Sequence, residues 1–120
     1  NVGLNALNSR ILLMGLTFKE DCPDLRNSKA LEIARIFEIK GIECFCYDPH
    51  VNIDEFKKTN TLKILNKINP DNSYDAVIIA VKHKEFLEFD LSKWKGLITE
   101  KGILFDLKGI IPRSLNALRL

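Results

Sequence analysis

Four apolar runs of strand length, separated by polar or helical stretches, constrain the fold of this chain more than any other feature. They span Arg10 to Leu16, Ile42 to Tyr47, Tyr74 to Val81 and Ile103 to Leu107. Continuous apolar runs are typical of parallel strands that are covered on both faces. Because helical patterns separate them, the sequence predicts an α/β fold with a doubly wound, mostly parallel sheet in a single three-layer domain.

The clearest helical pattern follows Ser28, a plausible N-cap. Apolar residues recur at spacings of three and four from Ala30 to Phe37, which predicts a helix with a broad buried face, and Gly41 supplies the stop. The weaker predictions concern the remaining segments. A short helix and then a short strand or turn are predicted within 51–65, and a loop or short helix at 83–89. An amphipathic helix is predicted over 91–100, ended by Lys101-Gly102, and a short terminal helix opened by Pro112 and Ser114 carries Leu115 and Leu118.

Length and charge exclude several classes of protein. The chain has 120 residues, 46% of them hydrophobic, which suffices for one domain with a real core. The net charge of +2 is interspersed along the sequence, so nucleic-acid and membrane-surface binding get no support. No apolar run approaches the roughly 20 residues of a membrane span. Residues 1–8 do not resemble a signal peptide.

The cysteines indicate a reducing compartment. The chain has an odd number of cysteines, the three residues Cys22, Cys44 and Cys46, and no secretion signal. We therefore expect a cytoplasmic protein without a disulfide framework. Cys44 and Cys46 lie two residues apart on a predicted strand. A lone pair at this spacing is a weak metal signal, and we expect two buried thiols and no metal site.

A long polar loop from Gly15 to Ser28 lies between the first strand and the first helix. In open α/β sheets, ligands bind beyond the carboxyl ends of strands where the strand order reverses. Lys19 and Arg26 are cations in this loop beside a helix N-terminus, which favours a phosphate-bearing ligand. Arg26 could equally cap or bridge loop carboxylates such as Asp21 and Asp24.

The loop departs from an ordinary dinucleotide-binding turn. Such a turn has the pattern GxGxxG, and only Gly15 is present. Asp48, at the end of the second strand, occupies the place of a ribose-binding acid. A turn-forming aspartate before Pro49 is the more probable interpretation.

The run GLTFKEDCPDLRNSKALEIARIFEIKGIECFCYDP, together with FDLKGIIPR near the end, resembles the C-terminal UDP-binding domain of the UDP-glucose/GDP-mannose dehydrogenase family. The CPDLRNS variant is most similar to the bacterial branch that oxidises UDP-N-acetylhexosamines for surface polysaccharides. The resemblance implies a Rossmann-like fold, with 1–9 a linker remnant from a missing central helix and 10–120 the UDP-sugar-binding domain.

The resemblance also implies roles for four residues. Phe18 and Lys19 would contact the UDP-sugar, with Lys19 facing the diphosphate, and Lys108 is a further substrate-binding candidate. Arg26 would reach across a cleft toward NAD. The resemblance implies that the whole enzyme is a homo-oligomer and oxidises the sugar CH2OH to a carboxylate in two hydride transfers to NAD.

The catalytic groups of such an enzyme would lie outside this chain. No GFGGxC-like motif for the catalytic cysteine occurs here, so Cys22 is expected to be a bystander and the chain to be inactive alone. NAD would bind to an N-terminal domain that is absent. The alternatives are a stand-alone Rossmann-like nucleotide-binding or regulatory module, and a domain that mainly supports oligomer assembly.

Overall fold

The computed structural model describes residues 9–17, 19, 21, 23–26, 28–68 and 73–119. The strands are β1 (Arg10–Met14), β2 (Glu43–Tyr47), β3 (Lys63–Ile64), β4 (Tyr74–Ile79), β5 (Ile98–Asp106) and β6 (Leu118–Arg119). The helices are α1 (Lys29–Ile39), α2 (Ile53–Thr59), α3 (Lys84–Leu87) and α4 (Leu91–Leu97), and a 3-10 turn spans Arg113–Leu115. Among the described residues, no helix is both long and apolar enough to cross a membrane.

The six strands form one sheet in the order β3-β2-β1-β4-β5-β6, and every neighbouring pair is parallel. The chain first builds outward from β1 to β3, and then returns to place β4 on the other side of β1. The strand order therefore reverses between β1 and β4, as in doubly wound dinucleotide-binding folds. The predicted parallel α/β sheet is confirmed.

Alternate residues of β1 feed two separate cores, one on each face of the sheet. Ile11 and Leu13 pack with the buried face of α1 and with Phe56 of α2. Leu12 and Met14 pack with residues of the opposite layer, which include Phe86 of α3 and Trp94 of α4. A strand buried on both faces must be apolar at consecutive positions, and this explains the continuous run in the sequence.

Helix α1 begins where the sequence predicted, because the Ser28 hydroxyl accepts a hydrogen bond from the Leu31 N–H at 3.1 Å. Its buried residues are Ala30, Leu31 and Ala34. Ile36 is 51% exposed, so the buried face is narrower than predicted. Phe37, one turn after Ala34, still packs against the core, whereas Ile36 and Ile39 face outward.

The last third of the chain corrects two predictions. Strand β5 already starts at Ile98, which pairs with Tyr74, whereas the next pair joins Ala76 to Ile103. Residues 99–102, including Lys101 and Gly102, therefore form an irregularity within β5 and not a helix end. Leu118 pairs with Phe105 in β6 and so does not lie in a terminal helix. In both places strand pairing outweighs the local helical pattern.

Cys44 and Cys46 are buried thiols on β2, as predicted. A hydrogen bond between the two thiols and their burial raise the pKa of Cys46 above its usual range. A buried thiol that stays protonated is a poor nucleophile and a poor metal ligand. The same hydrogen bond lowers the pKa of Cys44, but both side chains lie in the core with Ile11 and Leu13 and serve packing.

Candidate functional site

The candidate site lies at the carboxyl edge of the sheet, where the strand order reverses between β1 and β4. The loop that follows β1 begins with Gly15, whose φ is +94°. A Cβ at this position would lie 2.6 Å from the Val81 Cβ and 2.8 Å from the Val81 backbone nitrogen. Glycine at position 15 therefore lets the ends of two neighbouring strands approach closely. This glycine serves packing between strands, and not approach to a pyrophosphate.

Asp48 accepts hydrogen bonds from the loop after β1 and from residues that follow β2 and β4. Its Oδ2 accepts hydrogen bonds from the N–H groups of Leu16 (2.7 Å) and Thr17 (3.1 Å), and its Oδ1 accepts one from the His50 N–H (2.8 Å). The side chain is fully buried. Burial opposes ionisation of Asp48, but hydrogen bonds from His83, Leu16 and His50 outweigh it and hold the pKa below its usual range. The ionised carboxylate is a structural acceptor, so the turn interpretation is correct and no face is left for a ribose.

His83 follows β4 and lies completely buried against Asp48. Its Nδ1 accepts a hydrogen bond from the Asp21 N–H at 2.8 Å, so the ring proton is on Nε2. Nε2 lies 2.8 Å from Asp48 Oδ2 and 3.1 Å from Thr17 Oγ1. Thr17, Asp21, Asp48 and His83 are therefore linked by hydrogen bonds.

Asp21 joins the loop to α3 as well as to His83. It has a positive φ of 57°, and its Oδ1 accepts the Lys84 N–H at 2.8 Å. The His50 ring stacks on the His83 ring with 4.4 Å between centroids, and His50 Nε2 lies 3.1 Å from Glu85 Oε1. Side-chain atoms of Asp21, His50 and His83 come within 4.8 Å of one another. A metal ion there would have to displace the Asp21 N–H from His83 Nδ1. Asp21, His50 and His83 are therefore better suited to hydrogen bonding than to metal binding.

Of the four predicted site residues, Lys19 and Arg26 lie on the loop at this reversal. The Lys19 side chain is exposed, and its C=O accepts a hydrogen bond from the Thr17 hydroxyl at 2.9 Å. Phe18 lies outside the described residues, and so does Cys22.

Arg26 pairs with Asp24, one of the loop carboxylates that the sequence offered as partners. Its Nε and an Nη donate to the two carboxylate oxygens at 3.0 and 2.9 Å, while the Arg26 side chain stays 86% exposed. The hydrogen bonds from Arg26 lower the pKa of Asp24 to about 2. The paired guanidinium therefore has a defined orientation and still faces solvent.

Lys108 lies at the same edge of the sheet, at the end of β5, two strands from β1. The turn that carries it is held by Asp106, which is 1% exposed. The Asp106 carboxylate accepts the N–H groups of Lys108 (3.3 Å), Ile110 (3.1 Å) and Ile111 (2.7 Å). The Lys108 side chain is exposed on this turn.

We expect Arg26→Ala to return the pKa of Asp24 from about 2 toward its usual 3.8, because the substitution removes both guanidinium hydrogen bonds. Since the folded-state pKa is depressed, the pair stabilises the loop above the usual pKa and this contribution disappears as pH falls toward 2. Carboxyl-carbon NMR titration measures the change. Arg35→Ala is the control, because Arg35 bonds to Asn60 instead. An unchanged Asp24 titration in Arg26→Ala would contradict the pairing.

The sequence interpretation missed His83, Thr17 and Asp21 as parts of the site. The available signal was positional: Asp48 follows β2 and His83 follows shortly after β4, and these strands flank β1 on opposite sides. Only the strand order 2-1-4 brings the two side chains together above β1. That order could not be obtained from periodicity.

The strand order and the polar loop at its reversal define the class of this protein, a doubly wound domain of the Rossmann type. The sequence profile of the UDP binding domain of the UDP-glucose/GDP-mannose dehydrogenase family matches residues 12–113. The chain belongs to this family, which confirms the resemblance seen in the sequence.

Individual relatives agree with this assignment. The chain is 30% identical over 118 residues to the UDP-N-acetyl-D-glucosamine 6-dehydrogenase of Salmonella typhi, and the match covers 98% of this chain and 28% of the relative. It is 35% identical to the Pseudomonas aeruginosa enzyme of the same name, over 93% of this chain and 26% of that one. A solved UDP-D-ManNAc dehydrogenase from Pyrococcus horikoshii superposes with a TM-score of 0.66 at 29% identity, over 89% of this chain and 23% of that structure. The chain thus spans about a quarter of the length of these relatives.

Proposed function

We propose that this chain is the nucleotide-sugar-binding domain of an NAD-dependent nucleotide-sugar 6-dehydrogenase. The observation that carries the proposal is the placement of Lys19 and Arg26 on one loop at the strand-order reversal, above the buried Asp48 carboxylate. Both cations are exposed, whereas the loop that bears them is tied to the sheet. Solvent-facing cations on a loop whose residues Leu16, Thr17 and Asp21 are hydrogen-bonded to Asp48 and His83 are suited to binding a diphosphate.

The proposed roles divide between two ligands. Lys19 neutralises the diphosphate of a UDP-sugar, and Phe18 packs against the nucleotide-sugar. Lys108 contacts the substrate from the turn after β5. Arg26, oriented by Asp24, faces a nicotinamide cofactor across a cleft. An exposed guanidinium with a fixed orientation suits a phosphate held by another domain.

The residues of this chain do not fit NAD by themselves. Gly15 is packed against Val81, and the Ser28 hydroxyl already accepts a hydrogen bond from the first turn of α1. The close backbone approach by which a glycine-rich turn holds a pyrophosphate is therefore not available. We assign NAD binding, and the cysteine that forms the covalent intermediate, to other parts of a longer enzyme.

The reaction of that longer enzyme would be oxidation of a UDP-hexose or UDP-N-acetylhexosamine to the uronic acid, with reduction of two NAD. The product would enter bacterial surface polysaccharides. The buried thiols Cys44 and Cys46 suit a cytoplasmic enzyme. We take 1–9 to belong to a linker and 10–120 to be the substrate domain. A reading frame that continues upstream of Asn1 into a GxGxxG domain would favour this proposal over a stand-alone module.

We expect the 120-residue chain to bind UDP weakly, because the other wall of the cleft is missing, and to reduce no NAD. Lys19→Ala should weaken UDP binding about tenfold, since it removes a charged hydrogen bond to the diphosphate. Titration calorimetry with UDP measures both affinities. The matched control is Lys40→Ala, an exposed lysine at the other end of α1. Equal dissociation constants for Lys19→Ala and the unmodified chain would remove the proposed role of Lys19.

A further inference from the structure

One side chain, His83, makes hydrogen bonds to two of the described residues in the Thr17–Asp21 segment of the loop. Its Nδ1 accepts the Asp21 N–H at 2.8 Å, and its Nε2 lies 3.1 Å from Thr17 Oγ1. The Thr17 hydroxyl donates its own proton to the Lys19 C=O at 2.9 Å. The single Nε2 proton therefore lies between two acceptors, the Thr17 oxygen and Asp48 Oδ2, and the bond to Asp48 is the shorter at 2.8 Å. His83 thus bonds directly to the Asp21 main chain, and it reaches the Lys19 C=O only through the Thr17 hydroxyl.

We propose that His83 is a positioning residue, which holds the Thr17–Asp21 segment so that Lys19 presents its ammonium to the diphosphate of the ligand. The inference rests on the proposed function of Lys19 and adds the residue through which the loop obtains its shape. His83 touches no ligand itself, because it is completely buried. Its effect on binding must pass through Lys19 and the segment around it.

The geometry requires a group with a donor at one end and an acceptor at the other. The Nε2–H bonds to Asp48 on the sheet, at 2.8 Å, and the Nδ1 lone pair bonds to Asp21 in the loop. A neutral imidazole is the side chain that offers both in one rigid ring. The ring is kept in place by stacking on His50 at 4.4 Å and by an edge contact with Phe86 at 5.5 Å. Asp48 in turn has a fixed position because backbone N–H groups occupy it.

The substitution His83→Gln tests the roles of the two ring nitrogens separately. The glutamine amide NH2 can take the place of Nε2–H beside Asp48, but it leaves no acceptor at the Nδ1 position for the Asp21 N–H. His83→Gln should therefore keep the buried carboxylate paired and release the loop. We expect the Asp21 amide proton to exchange with solvent about tenfold faster in this variant. Amide exchange in α1 should not change.

The decisive test is a double-mutant cycle with UDP as the probe, measured by calorimetry on the 120-residue chain. In the unmodified background, His83→Gln should weaken UDP binding about fivefold to tenfold. In the Lys19→Ala background, the same change should alter the affinity less than about twofold, because the group that His83 positions is gone. Equal losses in both backgrounds would overturn the inference, as would unchanged Asp21 exchange.

A second pair of variants keeps the test valid if His83→Gln does not fold. Thr17→Val removes the hydroxyl between His83 and the Lys19 C=O, whereas Thr17→Ser retains it. Thr17→Val should reproduce the loss and its dependence on Lys19, and Thr17→Ser should bind UDP normally. Equal UDP affinity in the two variants would overturn the inference. A chain that binds no UDP at all would overturn the proposed function together with this inference, whereas a lysine effect without a histidine effect would overturn only the latter.

Discussion

Asp48→Ala is expected to lower the free energy of unfolding by about 3–5 kcal/mol, a large part of the stability of a domain of this size. The substitution removes the acceptor of three backbone N–H groups, of which those of Leu16 and Thr17 are buried, and the shorter of the two contacts of His83 Nε2. Each unpaired buried donor costs about 1–3 kcal/mol. Urea denaturation monitored by circular dichroism at pH 7 measures the loss.

The control for this experiment is Asp54→Ala, which removes the same charge from an exposed position in the first turn of α2. It should cost less than about 1 kcal/mol. If both variants lose the same amount, the carboxylate of Asp48 is not the acceptor described above.

The pH dependence of the Asp48 effect has a definite sign. Because the folded-state pKa lies below the usual 3.8, the ionised carboxylate stabilises the fold fully above that value. This contribution disappears as pH falls through the depressed pKa. The difference in stability between Asp48→Ala and the unmodified chain should therefore shrink in acid. A difference that grows as the pH is lowered below 3.8 would contradict the assignment.

Gly15→Ala is expected to cost roughly 2–4 kcal/mol of stability. Two effects add: the φ of +94° is unfavourable for alanine, and the new Cβ would lie 2.6 Å from the Val81 Cβ and 2.8 Å from the Val81 nitrogen. The collision with a backbone atom cannot be relieved by rotation of a side chain, so the ends of β1 and β4 would have to separate. Thermal and urea denaturation measure the loss.

Gly41→Ala separates the two effects. Gly41 also has a positive φ, of 76°, but nothing lies within 4 Å of the position of its Cβ. It should therefore cost only about 1 kcal/mol, from the backbone conformation alone. Equal losses at the two glycines would show that the contact with Val81 does not matter.

The elements with the strongest local signals were predicted correctly. The four apolar runs became the long strands, and Ser28 caps α1 as expected. The errors lie where pairing between distant segments decides the conformation. Residues near Lys101 and Gly102 follow a helical pattern but lie within β5, because Ile98 before them and Ile103 after them both pair with β4. Leu118 lies in β6 because it pairs with Phe105 of β5.

The candidate site shows the same division. Lys19 and Arg26 could be selected from the sequence because cations beside a helix N-terminus are recognisable as residue types, whereas Lys108 was selected only through the family resemblance. Of the acceptors that hold these turns, Asp48 was interpreted from the sequence as an ordinary turn aspartate, and Asp106 lay within a predicted strand. Their importance follows from burial and from the number of N–H groups that converge on each.

By itself, the sequence determined the parallel α/β fold, the ends of α1, the cationic loop after β1 and the family of the protein, because each depends on residues close together in the chain. Only the tertiary structure decided that His83 and Asp48 meet, since 35 residues separate them and the order β2-β1-β4 brings them together. It also decided that Gly15 serves packing against Val81. Both results depend on which strands become neighbours, and that choice is made by burying two apolar faces at once.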